Sequence, residues 1–182
     1  MSSTRVVPYD PVWPRVFEQE RLRLEEALKP WLAAGVHHIG STAVPGLAAK
    51  PIIDMIAGVR DLAESRDAAP VLEAMGYEYR QHRPEGHLFV QVTKGIHLTE
   101  PESDLWRERF AFRDALREDV KLREQYATWK RTHAARDPAI GPYTADKRAF
   151  VQSVLEGAEI DLKPDEERLT PAALRIKRQQ RG

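Results

Sequence analysis

Two features with chemical potential stand close together in "HHIGSTAVPGLAAKPIIDMIAGV", His37 to Val59. One is the small polar loop Gly40-Ser41-Thr42; the other is Asp54, alone among Ile52, Ile53, Met55 and Ile56. Gly40 has no Cβ and lets backbone approach a ligand closely. Ser41 and Thr42 offer hydroxyls beside successive amides, and a short helix starting there would form an anion site. A Ser/Thr helix cap after a glycine accounts for the same residues without any ligand. A carboxylate among isoleucines is costly to bury unless it is paired or holds a cation. Loop phosphate donors beside a strand carboxylate suit Mg²⁺ holding a nucleoside triphosphate. A core aspartate paired with an arginine suits the residues equally well.

The elements that must position these groups are legible from spacing. Pro11 and Pro14 suit a helix start. Trp13, Phe17, Leu24, Leu28 and Trp31 recur at helical spacing, which predicts a helix over 12–34. Residues 36–39 and the Ile-rich 51–59 read as strands, the second one buried. Asp61 can cap a helix running to about Met75, which Gly76 ends. Residues 77–80, 88–92 and 96–99 read as further strands, with Lys94-Gly95 as a hairpin turn. Helical patterns follow over 102–116, 119–135 and 144–155, broken most clearly at "RDPAIGPY". Residues 158–182 are charged and lack aromatics, which predicts a mobile tail with one short helix near 171–177.

This order predicts one α+β domain over residues 1–157. A small mixed β-sheet would span about 36–100, with flanking helices and a C-terminal helical layer over about 102–157. The 182 residues suffice for one substantial core. The formal net charge is zero, so nothing calls for nucleic acid as a partner. The chain has no cysteine, which excludes disulfides, thiolate metal sites and cysteine nucleophiles. No apolar run reaches the ~18 residues of a membrane span, and the start lacks the form of a signal peptide. A cytoplasmic location is the expectation.

The central stretch resembles the signature of the GrpB family, a family generally assigned the nucleotidyltransferase fold. The resemblance runs from Tyr9 to about Leu155. It includes "YDPVWPRVFEQE", "MGYEYR", "HLTEPESDLWRERFAFRDALR", "QYATWKR" and "YTADKRAFV". It implies a Gly-Ser loop that binds a triphosphate and strand carboxylates that hold divalent metal. Gly40 and Ser41 match the Gly-Ser motif. Asp54 matches the first acid of the Asp-x-Asp pair that active nucleotidyltransferases use, but Ile56 stands at the second. Residues 54 and 56 of a strand share a face, and Ile56 cannot ligate a metal.

One acid can still hold one Mg²⁺ with substrate phosphates and water. His97 matches the first histidine of the family's His-x-His pattern, and Thr99 replaces the second. Glu100, at the strand end beside Pro101, is a candidate metal ligand or general base. His37 and His38 are adjacent and point to opposite sheet faces, so they form no natural metal pair. Lys50 could reach phosphate or pair with Asp54. Arg83 and His87 flank a loop near the cleft. Arg113 and Asp114 read first as a structural ion pair. Tyr126 with Lys130, and Tyr143 with Lys147, are each four apart on helices. They could stack on a base and contact phosphates, or simply pack the helical layer with lysine heads in water.

The first expectation is therefore a Mg²⁺-dependent nucleotidyltransferase-like enzyme, acting on a nucleoside triphosphate and a hydroxyl acceptor, most simply a small molecule. The alternative is a nucleotide- or phosphate-binding or interaction module without turnover, for which Ile56 argues. A scaffold using the helical layer and the basic end "RIKRQQRG" ranks third. P-loop, Rossmann and Gly-x-Ser-x-Gly enzymes lose support, because their motifs are absent from the sequence.

Overall fold

The computed structural model describes residues 6–80, 83–134 and 140–157, with side chains described outside 133–134 and 140–148. The expected tail over 158–182 lies outside the described residues. Helix α1 (Trp13–Leu28) has a proline in its first turn, where the missing amide donor costs little. It stops well short of residue 34. Lys29 still has helical dihedrals as the C-cap, but Pro30 has no amide with which to continue the helix, and Leu32–Gly35 belong instead to the first strand. Apolar spacing alone hid that change.

Five strands form one mixed sheet in the order β1-β2-β5-β4-β3. They are β1 (Leu32–Ile39), β2 (Ile53–Val59), β3 (Glu78–Arg80), β4 (His87–Val90) and β5 (Lys94–Thr99). The central pair β2 and β5 is parallel, and every other neighbour is antiparallel. The Lys94-Gly95 turn is corrected: both residues lie in β5, opposite Ile53 and Asp54. The chain reverses one step earlier, where the Gln91 amide donates to the Lys94 carbonyl at 2.7 Å. Thr93 and the 89%-exposed Val92 form the tip of that turn.

Asp61 does cap, its Oδ1 accepting from the amides of Ala63 and Glu64. The helix behind it is split into a 3-10 turn (Glu64–Ala68) and α2 (Ala69–Ala74), with Pro70 opening the second piece. Three longer helices follow: α3 (Asp104–Glu118), α4 (Val120–Ala134) and α5 (Ile140–Gly157). Ser103 Oγ caps α3 on the Trp106 amide. Helix α5 starts four residues before the expected 144, because a proline at position 142 is tolerated in a first turn. No helix among the described residues is long and apolar enough to cross a membrane.

The two sheet faces are covered differently. Ile53, Met55, Ala57 and Val59 of β2, with Ile96 and Leu98 of β5, pack into one core with Leu24 and Leu28 of α1 and Leu72 of α2. Period-two alternation sends Asp54, Ile56 and Gly58, with Gly95, His97 and Thr99, to the opposite face. Helix α3 lies there. A Cβ on Gly58 would lie 2.7 Å from the Ala34 Cβ and 3.1 Å from the Trp106 ring, so glycine lets β1 and α3 approach closely there. A second core joins Val44 and Leu47, just after the Gly-Ser loop, to Phe112, Leu116, Tyr126, Val154 and Leu155. Each such side chain, fully buried, contributes about 1.5–3 kcal/mol. The helical layer is thereby fixed to the loop that concerns function.

Strand β1 is a sheet edge, and charged side chains from both layers cover its outward groups. The Val36 amide donates to Glu25 Oε1 of α1 at 3.1 Å. Arg113 of α3 donates to the His38 carbonyl at 3.1 Å, and Arg60 to the Leu32 carbonyl at 2.9 Å. His37 and His38 face opposite sides, as expected. His37 meets Trp106 and Phe110 of α3, while His38 stacks on Phe17 of α1.

Candidate phosphate and metal site

The site begins where β1 ends. Ile39 pairs with Asp54 across the ladder, and the chain then turns at Gly40 with φ 70° and ψ −170°. That conformation is essentially open to glycine only. Ser41–Ala43 form a single 3-10 turn, closed by the Ala43 amide on the Gly40 carbonyl. The helix envisaged from the sequence is thus a three-residue turn, without the aligned dipoles of a helix N-terminus. A Cβ on Gly40 would lie 2.7 Å from Asp54 Oδ2, and one on Gly95 would lie 3.4 Å from Oδ1. The half-buried carboxylate is therefore held between two glycines.

Ser41 and Thr42 have separate tasks. Thr42 is buried, and its hydroxyl donates to the Ile52 carbonyl at 3.0 Å. His38 Nε2 lies on the same oxygen at 3.0 Å. Thr42 therefore uses its hydroxyl to tie the turn to the strand entrance. Ser41 is half-buried and its hydroxyl is hydrogen-bonded to Tyr126 of α4. Burial pushes the Tyr126 phenol up to about 12, so it stays protonated. Lys130 is buried as well. Its ammonium donates to the Ala48 carbonyl and lies 4.7 Å from the centre of the Tyr126 ring. It anchors α4 to the loop rather than standing in water. Tyr143 and Lys147 lie on α5, with side chains outside the described ones.

The remaining sequence candidates divide by strand register. Ile56 shares the Asp54 face and is fully buried. His97 is buried opposite Ile56 and Leu88, one step along from Asp54. Glu100 does not join them. It lies five residues past Gly95, the register partner of Asp54, which is about 16 Å along the strand. There its Oε1 accepts from the Leu62 amide at 3.2 Å. One ion cannot bridge Asp54 and Glu100, so that pairing of metal ligands is corrected. Lys50 is half-buried in the segment leading into β2. His87 is buried, hydrogen-bonded to the Leu62 carbonyl at 2.9 Å, well away from Asp54.

Helix α3 supplies what sequence reasoning missed. Arg109 is half-buried there, within electrostatic reach of Asp54 and Tyr126. Burial lowers its pKa, while Glu108 and Asp54 favour its charge. Glu108 Oε2 is paired with Arg83 at 2.6 Å. The quoted run "RERFAFRD" contains Arg109, but nothing in its spacing tells which of three arginines faces the sheet.

The donor set sets limits on metal. Among the described residues no group of three His, Cys, Asp or Glu could hold an ion. A site for two metals does not fit. One Mg²⁺ does, because Mg²⁺ needs only one or two carboxylates when substrate phosphates and water complete its shell. Asp54, seated against the two glycines, would hold it.

Comparison with known proteins agrees with this architecture. A UPF0157 protein of Halalkalibacterium halodurans is 34% identical over 164 residues, covering 86% of this chain and 83% of that protein. The glutamate-rich protein GrpB of Alkalihalophilus pseudofirmus is 29% identical over 162 residues, covering 82% and 92%. The crystal structure of conserved protein GrpB from Enterococcus faecalis superposes with a TM-score of 0.77 at 31% identity. That match covers 85% of this chain and 96% of that one. With the family profile described as "GrpB protein" matching residues 3–157, the chain belongs to the GrpB family.

Proposed function

We propose that this protein binds a nucleoside triphosphate with one Mg²⁺ at the Gly40–Ser41 turn, acting in the cytoplasm. The observation that carries the reading is the Asp54 carboxylate held between Gly40 and Gly95, directly over that turn. Glycine on both sides lets the carboxylate sit directly against the backbone of that turn. Ser41 would contact phosphate through its hydroxyl, held in place by Tyr126. Asp54 would hold Mg²⁺, which when bound neutralises phosphate charge.

Calorimetry with a non-hydrolysable ATP analogue and Mg²⁺ tests this. Asp54→Asn should retain the thermal transition and weaken binding at least ~10-fold, the scale of one lost charge-assisted contact. Unchanged affinity would remove Asp54 from the metal role.

A second reading adds nucleotidyl transfer to a small-molecule hydroxyl. It is favoured by the match of Asp54 to the first acid of active nucleotidyltransferases. The acceptor oxygen would bond to the α-phosphorus as the bond to pyrophosphate breaks. His97 is the nearest base on the Asp54 face. Against it stands Ile56 at the second acid position. Pyrophosphate release by purified protein, across a panel of hydroxyl acceptors, separates transfer from binding.

A further inference from the structure

Arg109 differs from the arginines around it. Arg83 donates to Glu108, Arg113 to Asp114 and the His38 carbonyl, and Arg117 to the Ala43 carbonyl. The Arg109 guanidinium makes no hydrogen bond among the described residues. Its Nε is buried without an acceptor, and Glu108 Oε1 is 3.8 Å from Nη1. The other oxygen of Glu108 is already taken by Arg83. A guanidinium presents five donors in a planar fork suited to phosphate. Leaving the Nε donor buried without an acceptor costs stability, so folding alone does not explain it.

Its surroundings name the ligand. Arg109 is close enough to Asp54 and Tyr126 for their charges to interact, and Tyr126 holds Ser41. The Arg109 guanidinium, the Asp54 carboxylate and the Ser41 hydroxyl thus belong to one neighbourhood. We propose that Arg109 is a phosphate-binding residue that exchanges partners at this site. Without ligand its charge offsets the Asp54 carboxylate. On arrival of Mg²⁺-triphosphate, Asp54 turns to the ion and Arg109 to a phosphate oxygen. The proposal rests on the nucleotide-binding reading given above.

The exchange has a signature of opposite signs. A cation beside Asp54 weakens its hold on a bare metal ion and strengthens the site for a polyanion. A residue needed only for folding would move both affinities the same way. Calorimetry on the full chain, Arg109→Gln and Arg109→Lys should use Mn²⁺ alone, inorganic tripolyphosphate, and a non-hydrolysable ATP analogue with Mg²⁺. Arg109→Gln should bind the analogue at least ~10-fold more weakly, the scale of a hydrogen bond to a charged group. It should bind Mn²⁺ alone as tightly as the natural chain or more so. Arg109→Lys, with charge but no fork, should fall between. Equal analogue binding by Arg109→Gln and the natural chain overturns the inference, and so does loss of both affinities. Absence of analogue and tripolyphosphate binding by the natural chain overturns the nucleotide reading itself, and this inference with it.

Discussion

Asp54 Oδ2 occupies the space beside Gly40 where any other residue would place its Cβ, at 2.7 Å from that position. The positive φ of Gly40 adds a backbone penalty for L side chains. Gly40→Ala should therefore cost at least about 2 kcal/mol, combining strain of about 1–3 kcal/mol with displacement of the carboxylate. Urea unfolding checks the loss. The double variant Gly40→Ala, Asp54→Gly should recover part of it, and strict additivity would show that the two residues do not crowd each other.

Ile56 is fully buried on the same face. Restoring the second acid of the nucleotidyltransferase pattern as Ile56→Asp should destabilise by about 3 kcal/mol or more, because the carboxylate gains no partner. It should create no new Mn²⁺ site. A folded variant with tighter Mn²⁺ binding would show that this position opens to the cleft after all.

Glu20 of α1 is a buried junction. It accepts from the Tyr77 hydroxyl at 2.9 Å, from Lys94 at 2.7 Å and from Arg23 at 3.0 Å. Lys94 directly precedes Gly95, so this carboxylate also fixes the start of β5 beside Asp54. Glu20→Ala should cost about 3 kcal/mol, as expected when a largely buried ion pair loses one partner. Glu20→Gln keeps an acceptor for Tyr77 and should cost less. Equal denaturation midpoints for the two variants would contradict this assignment.

His38 makes stability depend on pH. Burial, reinforced by Arg117 and Arg113, lowers its pKa to about 4, against about 6.5 in an unfolded chain. The folded ring therefore binds fewer protons than the unfolded one. Its contribution is complete above about pH 6.5 and is lost as pH falls toward 4. His87, also lowered chiefly by burial, acts in the same direction. The loss from His38 should approach about 1.4 kcal/mol per pH unit. Urea midpoints at successive pH values from neutral to mildly acid test this. His38→Gln should flatten the slope, and a slope unchanged by that substitution would assign the effect elsewhere.

Much of this architecture can be read from residue order. The Pro14 helix start, the Asp61 cap, the buried β2 and the three later helices all follow local rules. So does the nearness of Gly40 to Asp54, which a loop and return strand can close. The errors share a cause in non-local pairing. Gly95 looks like a turn residue, yet the parallel partner β2 draws it into a strand. Glu100 looks near enough to help Asp54, but parallel pairing places them at opposite ends of the sheet. Arg109 and Tyr126 reach the site only because Phe112, Leu116 and Leu155 pack the helical layer onto Val44 and Leu47. No spacing within one helix reports that docking.

The covered edge at β1 also bears on how the protein fails. Glu25 and Arg113, which shield the Val36 amide and the His38 carbonyl, come from different helices on different layers. Detachment of either helix uncovers strand hydrogen-bonding groups before the sheet itself melts. An uncovered edge is a template for joining other chains. Aggregation on heating should therefore begin at β1 and begin early, so the resistance of this protein to clumping depends more on how α1 and α3 hold on than on the strength of its sheet.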